Sequence, residues 1–100
     1  MEQQAKNILM EKIINLIKKN PEKPWDWYDI SRNPNLTMEY IENNPNKPWD
    51  WGRISKNPNI TMEIIEKYQD KPWDWYYISC NPNLTIDFIE KNQHKNLCYV

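Results

Sequence analysis

Lys23-Pro24-Trp25-Asp26-Trp27 recurs as Lys47-Pro48-Trp49-Asp50-Trp51 and again as Lys71-Pro72-Trp73-Asp74-Trp75, at a spacing of 24 residues. A fixed internal period outranks every other sequence signal, because each copy must be one structural unit that buries its apolar face against the next. The period divides the chain into an N-terminal segment 1–22, units 23–46, 47–70 and 71–94, and a partial fourth unit 95–100. Thirteen of the 24 positions are identical in all three units. In the first unit they are the five quoted above with Ile30, Ser31, Asn33, Pro34, Asn35, Thr37, Ile41 and Glu42.

Each unit reads as two short helices. Asp26 is placed to cap the first, its carboxylate accepting from the orphan amides of the opening turn. Trp25 and Ile30 then stand at the spacing of a hydrophobic staple. The helix must end near Asn33, because Pro34 disfavours the α region for the residue before it. Thr37 is the cap of the second helix, with Leu36 and Ile41 as its staple. Caps and prolines leave about seven residues for the first helix and about seven or eight for the second. The pattern recurs with Asp50 and Thr61, and with Asp74 and Thr85. Helices this short do not persist alone, since nucleation is costly. The expected fold is therefore all-α, an α-solenoid of short helical hairpins stabilised by nearest-neighbour packing.

The ends read as caps. Residues from about Gln3 to Lys19 form one longer helix, with Ala5, Ile8, Leu9, Ile13, Leu16 and Ile17 as its apolar stripe. Beyond His94 the register continues with decay: Leu97 falls where Trp73 stood, and Tyr99 where Trp75 stood.

The units Pro-Trp-Asp-Trp-x-x-Ile-Ser-x-Asn-Pro-Asn-[Leu/Ile]-Thr resemble the short Trp-rich, Asn-Pro-Asn repeats found in tandem arrays encoded by large DNA viruses of amoebae. The resemblance covers about residues 20–99. It implies tandem helical hairpins in interaction proteins, with no catalytic residue to carry over.

Composition narrows the function classes. Thirteen basic and 14 acidic side chains give a net charge of −1, without the basic footprint of a dedicated nucleic-acid binder. A single Gly excludes phosphate-cradling loops, and a single His, His94, leaves little for acid–base chemistry. Cys80, His94 and Cys98 are too few and too irregular for a metal site. No enzyme, cofactor or metal is expected. The charged first 20 residues are no secretory signal, so a cytoplasmic location is expected, the host cytoplasm for a viral protein.

Several motifs have plain structural readings. The Trp-Asp pair lacks the period of about 40 residues that a propeller blade needs. Asn35-Leu36-Thr37 and its copies match a glycosylation acceptor, yet read better as a turn followed by a helix cap. The Asn-Pro-Asn residues are expected to form a ladder of amides tying successive turns together. Trp27, Trp51 and Trp75 are expected in the core, with Trp25, Trp49 and Trp73 half exposed at the helix starts. Lys23, Lys47 and Lys71 are expected to pair with Glu42, Glu66 and Glu90 or to lie over Trp rings.

The positions that change between units carry the functional reading. On the first helix they are Tyr28/Gly52/Tyr76, Asp29/Arg53/Tyr77 and Arg32/Lys56/Cys80. Their spacing of i, i+1 and i+4 puts them on one face, a stripe along the array. Gly52 is expected to open a local pocket in it. Tyr and Arg suit protein contacts, so a protein partner bound along this stripe is the leading function. The alternatives are a homo-oligomer stacking end to end through Ile86, Phe88, Leu97 and Tyr99, and a reader of single-stranded nucleic acid or glycan.

Overall fold

The computed structural model describes residues 2–95 of the chain, with side chains from residue 8 onward. Among the described residues it is all-helical, with seven helices and no strand. The long α1 (Glu2–Lys19) is followed by α2 (Trp27–Ser31), α3 (Met38–Asn43), α4 (Trp51–Ser55), α5 (Met62–Lys67), α6 (Trp75–Ile78) and α7 (Ile86–Lys91). The side chain of Ala5, and Leu97, Cys98 and Tyr99, lie outside the described residues. No described helix is long and apolar enough to cross a membrane.

The capping residues act as their chemistry dictates. Asp26 accepts from the Asp29 amide and Asp50 from the Arg53 amide, each at 3.1 Å. Asp74 accepts from the amides of Tyr76 and Tyr77 at 3.1 and 3.3 Å. Thr61 and Thr85 cap α5 and α7 through their hydroxyls. Thr37 precedes α3 but makes no such bond, and its hydroxyl oxygen is buried without a partner.

The helices are shorter than the sequence suggests: five, five and four residues in the first position of each unit and six in the second. The chain leaves α2, α4 and α6 early, because the amides of Asn33, Asn57 and Asn81 bond back only three residues, to Ile30, Ile54 and Ile78. This tighter turn ends an α-helix.

Two turns are then built without glycine. Asn33, Asn57 and Asn81 each accept through their side-chain oxygen from the amide two residues on, at 2.7–3.0 Å. Their backbone carbonyls accept from Leu36, Ile60 and Leu84. At the other end of each unit, Trp25, Trp49 and Trp73 donate their amides to Lys23, Lys47 and Lys71, each at 2.8 Å. This three-residue turn is centred on a proline, whose fixed φ suits it.

Hydrogen bonds between units repeat with the period of the sequence. The Asn57 amide group donates to the carbonyls of Ser31 and Asn33 at 3.1 and 2.9 Å. One unit later, Asn81 donates to the carbonyls of Ser55, Asn57 and Ile60. Asn59 donates to Pro34 and Leu36, and Asn83 to Pro58 and Ile60. Asn57 and Asn81 are buried, so each group satisfies carbonyls that water cannot reach.

In the second and third units the core reverses the expected order of the tryptophans, while Trp25 and Trp27 are both partly buried. Trp49 and Trp73 are 8% and 7% exposed, whereas Trp27, Trp51 and Trp75 are partly buried around them. A hydrogen bond removes one obstacle to burial. The indole N–H groups of Trp25, Trp49 and Trp73 donate to the carbonyls of Asn20, Asn44 and Tyr68 at 2.8–2.9 Å. That bond satisfies the polar edge, but Trp25 makes it too and stays partly buried, so Trp49 and Trp73 go inside because the ring of the unit before covers them. Trp49 then meets Trp27 edge to face at 5.1 Å, and Trp73 meets Trp51 in the same way at 5.2 Å.

The buried face of α1 also differs from the expected stripe. Met10, Ile14 and Ile17 are buried and Ile13 is packed against them. Ile8, Leu9 and Leu16 are at least half exposed. The helix carries apolar residues on more than one face, so periodicity alone does not choose among them. Contact with the first unit does.

Candidate functional site

The variable positions of the first helices lie side by side, since α4 packs against both α2 and α6. Arg53 occupies the middle. Its guanidinium carbon is 4.6 Å from the centre of the Tyr28 ring and 4.8 Å from that of Tyr77. One cation from the second unit is thus held between aromatic rings of the first and third. Arg32 lies over Tyr28 at 5.6 Å, and Lys56 over Tyr77 at 5.5 Å. Tyr76 meets Tyr77 edge to face at 5.5 Å.

The fold therefore joins Tyr28, Arg32, Arg53, Lys56, Tyr76 and Tyr77 into one connected array. Asp29 sits at its edge, 3.6 Å from Arg32. Cys80 is exposed and free. Gly52 opens no pocket. A Cβ built there would stand 3.1 Å from the Tyr77 ring, which fills the space above the helix. The absence of a side chain at residue 52 lets Tyr77 lie close enough to reach Arg53.

Electrostatics favour the charged form of Arg53. Burial opposes its charge, but the side chain of Tyr77 and the fields of Tyr28 and Asp50 outweigh it, so its pKa is raised. Neither Arg53 nor Lys56 has a carboxylate at ion-pair distance among the described residues. The Nε atom of Arg53 is buried and without a hydrogen-bond partner.

Other cations are used structurally. Lys47 lies over Trp27 at 6.0 Å and Lys95 over Trp75 at 5.1 Å, equivalent places one repeat beyond each ring. Lys71 instead reaches Glu42 at 2.8 Å, in the unit before last. Both kinds of partner expected for these lysines thus occur, a glutamate for Lys71 and a Trp ring for Lys47, and which lysine takes which depends on helix ends far apart in the chain. Tyr40 is partly buried against the core. Burial, then Glu11 of α1 and Glu39, raise its phenol above the ordinary value.

Phe88, expected on an exposed end face, is 2% exposed and stacked on Trp75 at 6.0 Å. The third helix pair uses it to close its own core. Ile86 is 74% exposed. Beside them is a cavity of about 260 Å³ lined by Ile65, Trp73, Trp75, Phe88, His94 and Lys95 among others. No cluster of metal-ligating side chains occurs among the described residues. Comparison with protein-family models, curated proteins and solved structures gives no match.

Proposed function

We propose that the chain is a non-catalytic α-solenoid scaffold that binds a protein partner along the stripe centred on Arg53. One observation carries this reading. The first-helix residues that vary between units converge on a single connected surface, while the invariant Asn, Ser and Trp residues are consumed by hydrogen bonds between and within units. A framework held constant beneath a varied face is the division of labour of a repeat binder. Principal extents of 44 × 31 × 23 Å suit units advancing along one axis. A cytoplasmic setting, and kinship with the viral repeats that the motif resembles, belong to this proposal.

The test is affinity capture from the source cell with the full chain and with Arg53→Ala combined with Tyr77→Ala. The double variant should lose its partner while its melting temperature falls by less than about 10 °C, as expected for surface ring–cation contacts. Equal capture by both proteins refutes the reading.

A second reading rests on the cavity beside Trp73, Trp75 and Phe88, which offers a seat of aromatic rings rimmed by Glu66, Gln69, Asn92 and Lys95 at one end of the described units. In that reading copies stack end to end. Light scattering over a concentration series tests it: a molecular mass that stays monomeric throughout excludes stacking.

A further inference from the structure

The stripe has a definite charge character. It holds Arg32, Arg53 and Lys56 against a single carboxylate, Asp29, in a chain whose overall charge is −1. The neighbouring Asp26, Asp50 and Asp74 are already engaged, each accepting from backbone amides at a helix start. Capping does not remove their charge, and Asp50 acts on Arg53, but the cations of this face that lie outside any ion pair among the described residues are Arg53 and Lys56.

The way the rings are used decides between kinds of anion. An array that binds single-stranded nucleic acid needs open aromatic faces for bases to stack on. Here Tyr28 is covered by Arg53 and Arg32, and Tyr77 by Arg53 and Lys56. Gly52 brings the helix backbone against Tyr77 as well. Among the described residues no cation lies over Tyr76, which is 58% exposed, but at Tyr28 and Tyr77 the stripe offers cation edges held in place by rings. Guanidinium edges match carboxylates, which they bind through paired hydrogen bonds. Holding Arg53 between two rings also reduces the side-chain freedom lost on binding.

We infer that the Tyr28–Arg53–Tyr77 array, flanked by Arg32 and Lys56, is a docking surface for an acidic peptide segment of a partner protein. The inference rests on the partner-binding reading above and adds the chemistry of the partner. Carboxylates of an extended Asp- or Glu-rich segment engage Arg53 and Lys56, and compete with Asp29 for Arg32.

The probes are a fluorescein-labelled oligoglutamate peptide, an oligolysine peptide of equal length and an oligothymidylate, each titrated into the full chain and followed by fluorescence anisotropy. The oligoglutamate is expected to bind, more weakly as salt rises. Arg53→Ala should weaken it at least about tenfold, a loss of the size seen when a central charged anchor is removed. Arg53→Lys, which keeps the charge without the fork, should weaken it less. Asp29→Asn should tighten binding, a gain that damage to the fold does not produce.

Three results overturn the inference. They are no oligoglutamate binding, binding that Arg53→Lys and Asp29→Asn leave unchanged, and oligothymidylate binding tighter than oligoglutamate. The wider reading has its own readout: loss of partner capture by the double variant, with no oligoglutamate binding, keeps the partner face and discards only its acidic specificity.

Discussion

The hydroxyl of Ser55 accepts the backbone N–H of Asp74 at 2.9 Å, 19 residues further along the chain. Ser31 does the same for Asp50 at 2.8 Å. Asp74 in turn caps α6, so one buried serine holds the residue that starts the first helix of the next unit. The same Ser55 hydroxyl donates to the Trp51 carbonyl at 2.6 Å, which orients its lone pairs toward Asp74. Invariant serine in the repeat is thus a joint between units.

Ser55→Ala should therefore destabilise by about 1–3 kcal/mol, the cost of leaving a donor without its partner. Urea unfolding followed by tryptophan fluorescence measures it. A change below about 0.5 kcal/mol, the level of an ordinary surface substitution, contradicts the assignment.

The tryptophans should separate in order of burial. Trp49→Ala is expected to cost about 3–5 kcal/mol, as for a large ring removed from a core. Trp51→Ala should cost less, since that ring is only partly buried. Trp49→Phe keeps most of the ring but drops the bond to the Asn44 carbonyl, for a loss of about 1 kcal/mol beyond any packing change. Denaturation midpoints for the three variants give the ranking, and a larger loss for Trp51→Ala than for Trp49→Ala reverses it.

Gly52 and Tyr77 should be coupled. In a helix, Gly→Ala ordinarily gains about 1 kcal/mol. Here the new Cβ meets the Tyr77 ring at 3.1 Å, so Gly52→Ala alone should gain little or lose. In a Tyr77→Ala background the ring is gone and more of the gain should return, although the Asp50 carboxylate stays 3.2 Å away. A double-mutant cycle reads the difference directly, and additive effects mean that the ring does not sit over the glycine.

The Lys71–Glu42 pair predicts an alkaline dependence. The hydrogen bond to Glu42 is the largest favourable influence on Lys71, with burial opposing it, and the result is a pKa raised above 10.5. A cation whose folded pKa is raised adds stability that is fully present below its unfolded pKa and is lost as pH rises through the folded value. The melting-temperature gap between the native chain and Lys71→Met should therefore hold its full size below pH 10.5 and shrink as pH rises through the raised folded value. Comparing the two chains cancels the ionisation of the tyrosines common to both. A gap that is flat with pH excludes the ion pair as its source.

Much of this structure is legible in the letters because the deciding signals are local. Asp26, Asp50 and Asp74 announce helix starts through a bond to an amide three residues away, and Asn33 before Pro34 announces a stop. The ladder of Asn amides is legible because Asn57 and Asn81 stand one period from the carbonyls they serve. The site was legible only as a face. The spacing placed Tyr28, Arg53 and Tyr77 together, but not Arg53 between the two rings, and it read Gly52 as an opening rather than as the seat of Tyr77. Similar limits apply to α1, where more than one apolar face competed, and to Phe88, whose exposure depends on Trp75 lying flat against it.

The sequence by itself determined the period, the helix caps, the glycine-free turns and the division between constant and varied positions. Each of these follows from bonds within a few residues or from identity at a fixed spacing. The tertiary structure alone decided that Trp49 and Trp73 go inside, which lysine meets which carboxylate, and that one arginine is shared by rings two units apart. Those outcomes depend on distances between helix faces far apart in the chain. Trp25, Trp49 and Trp73 show why: all three make the same local indole bond, but only Trp49 and Trp73, each met by the ring of the unit before, are buried.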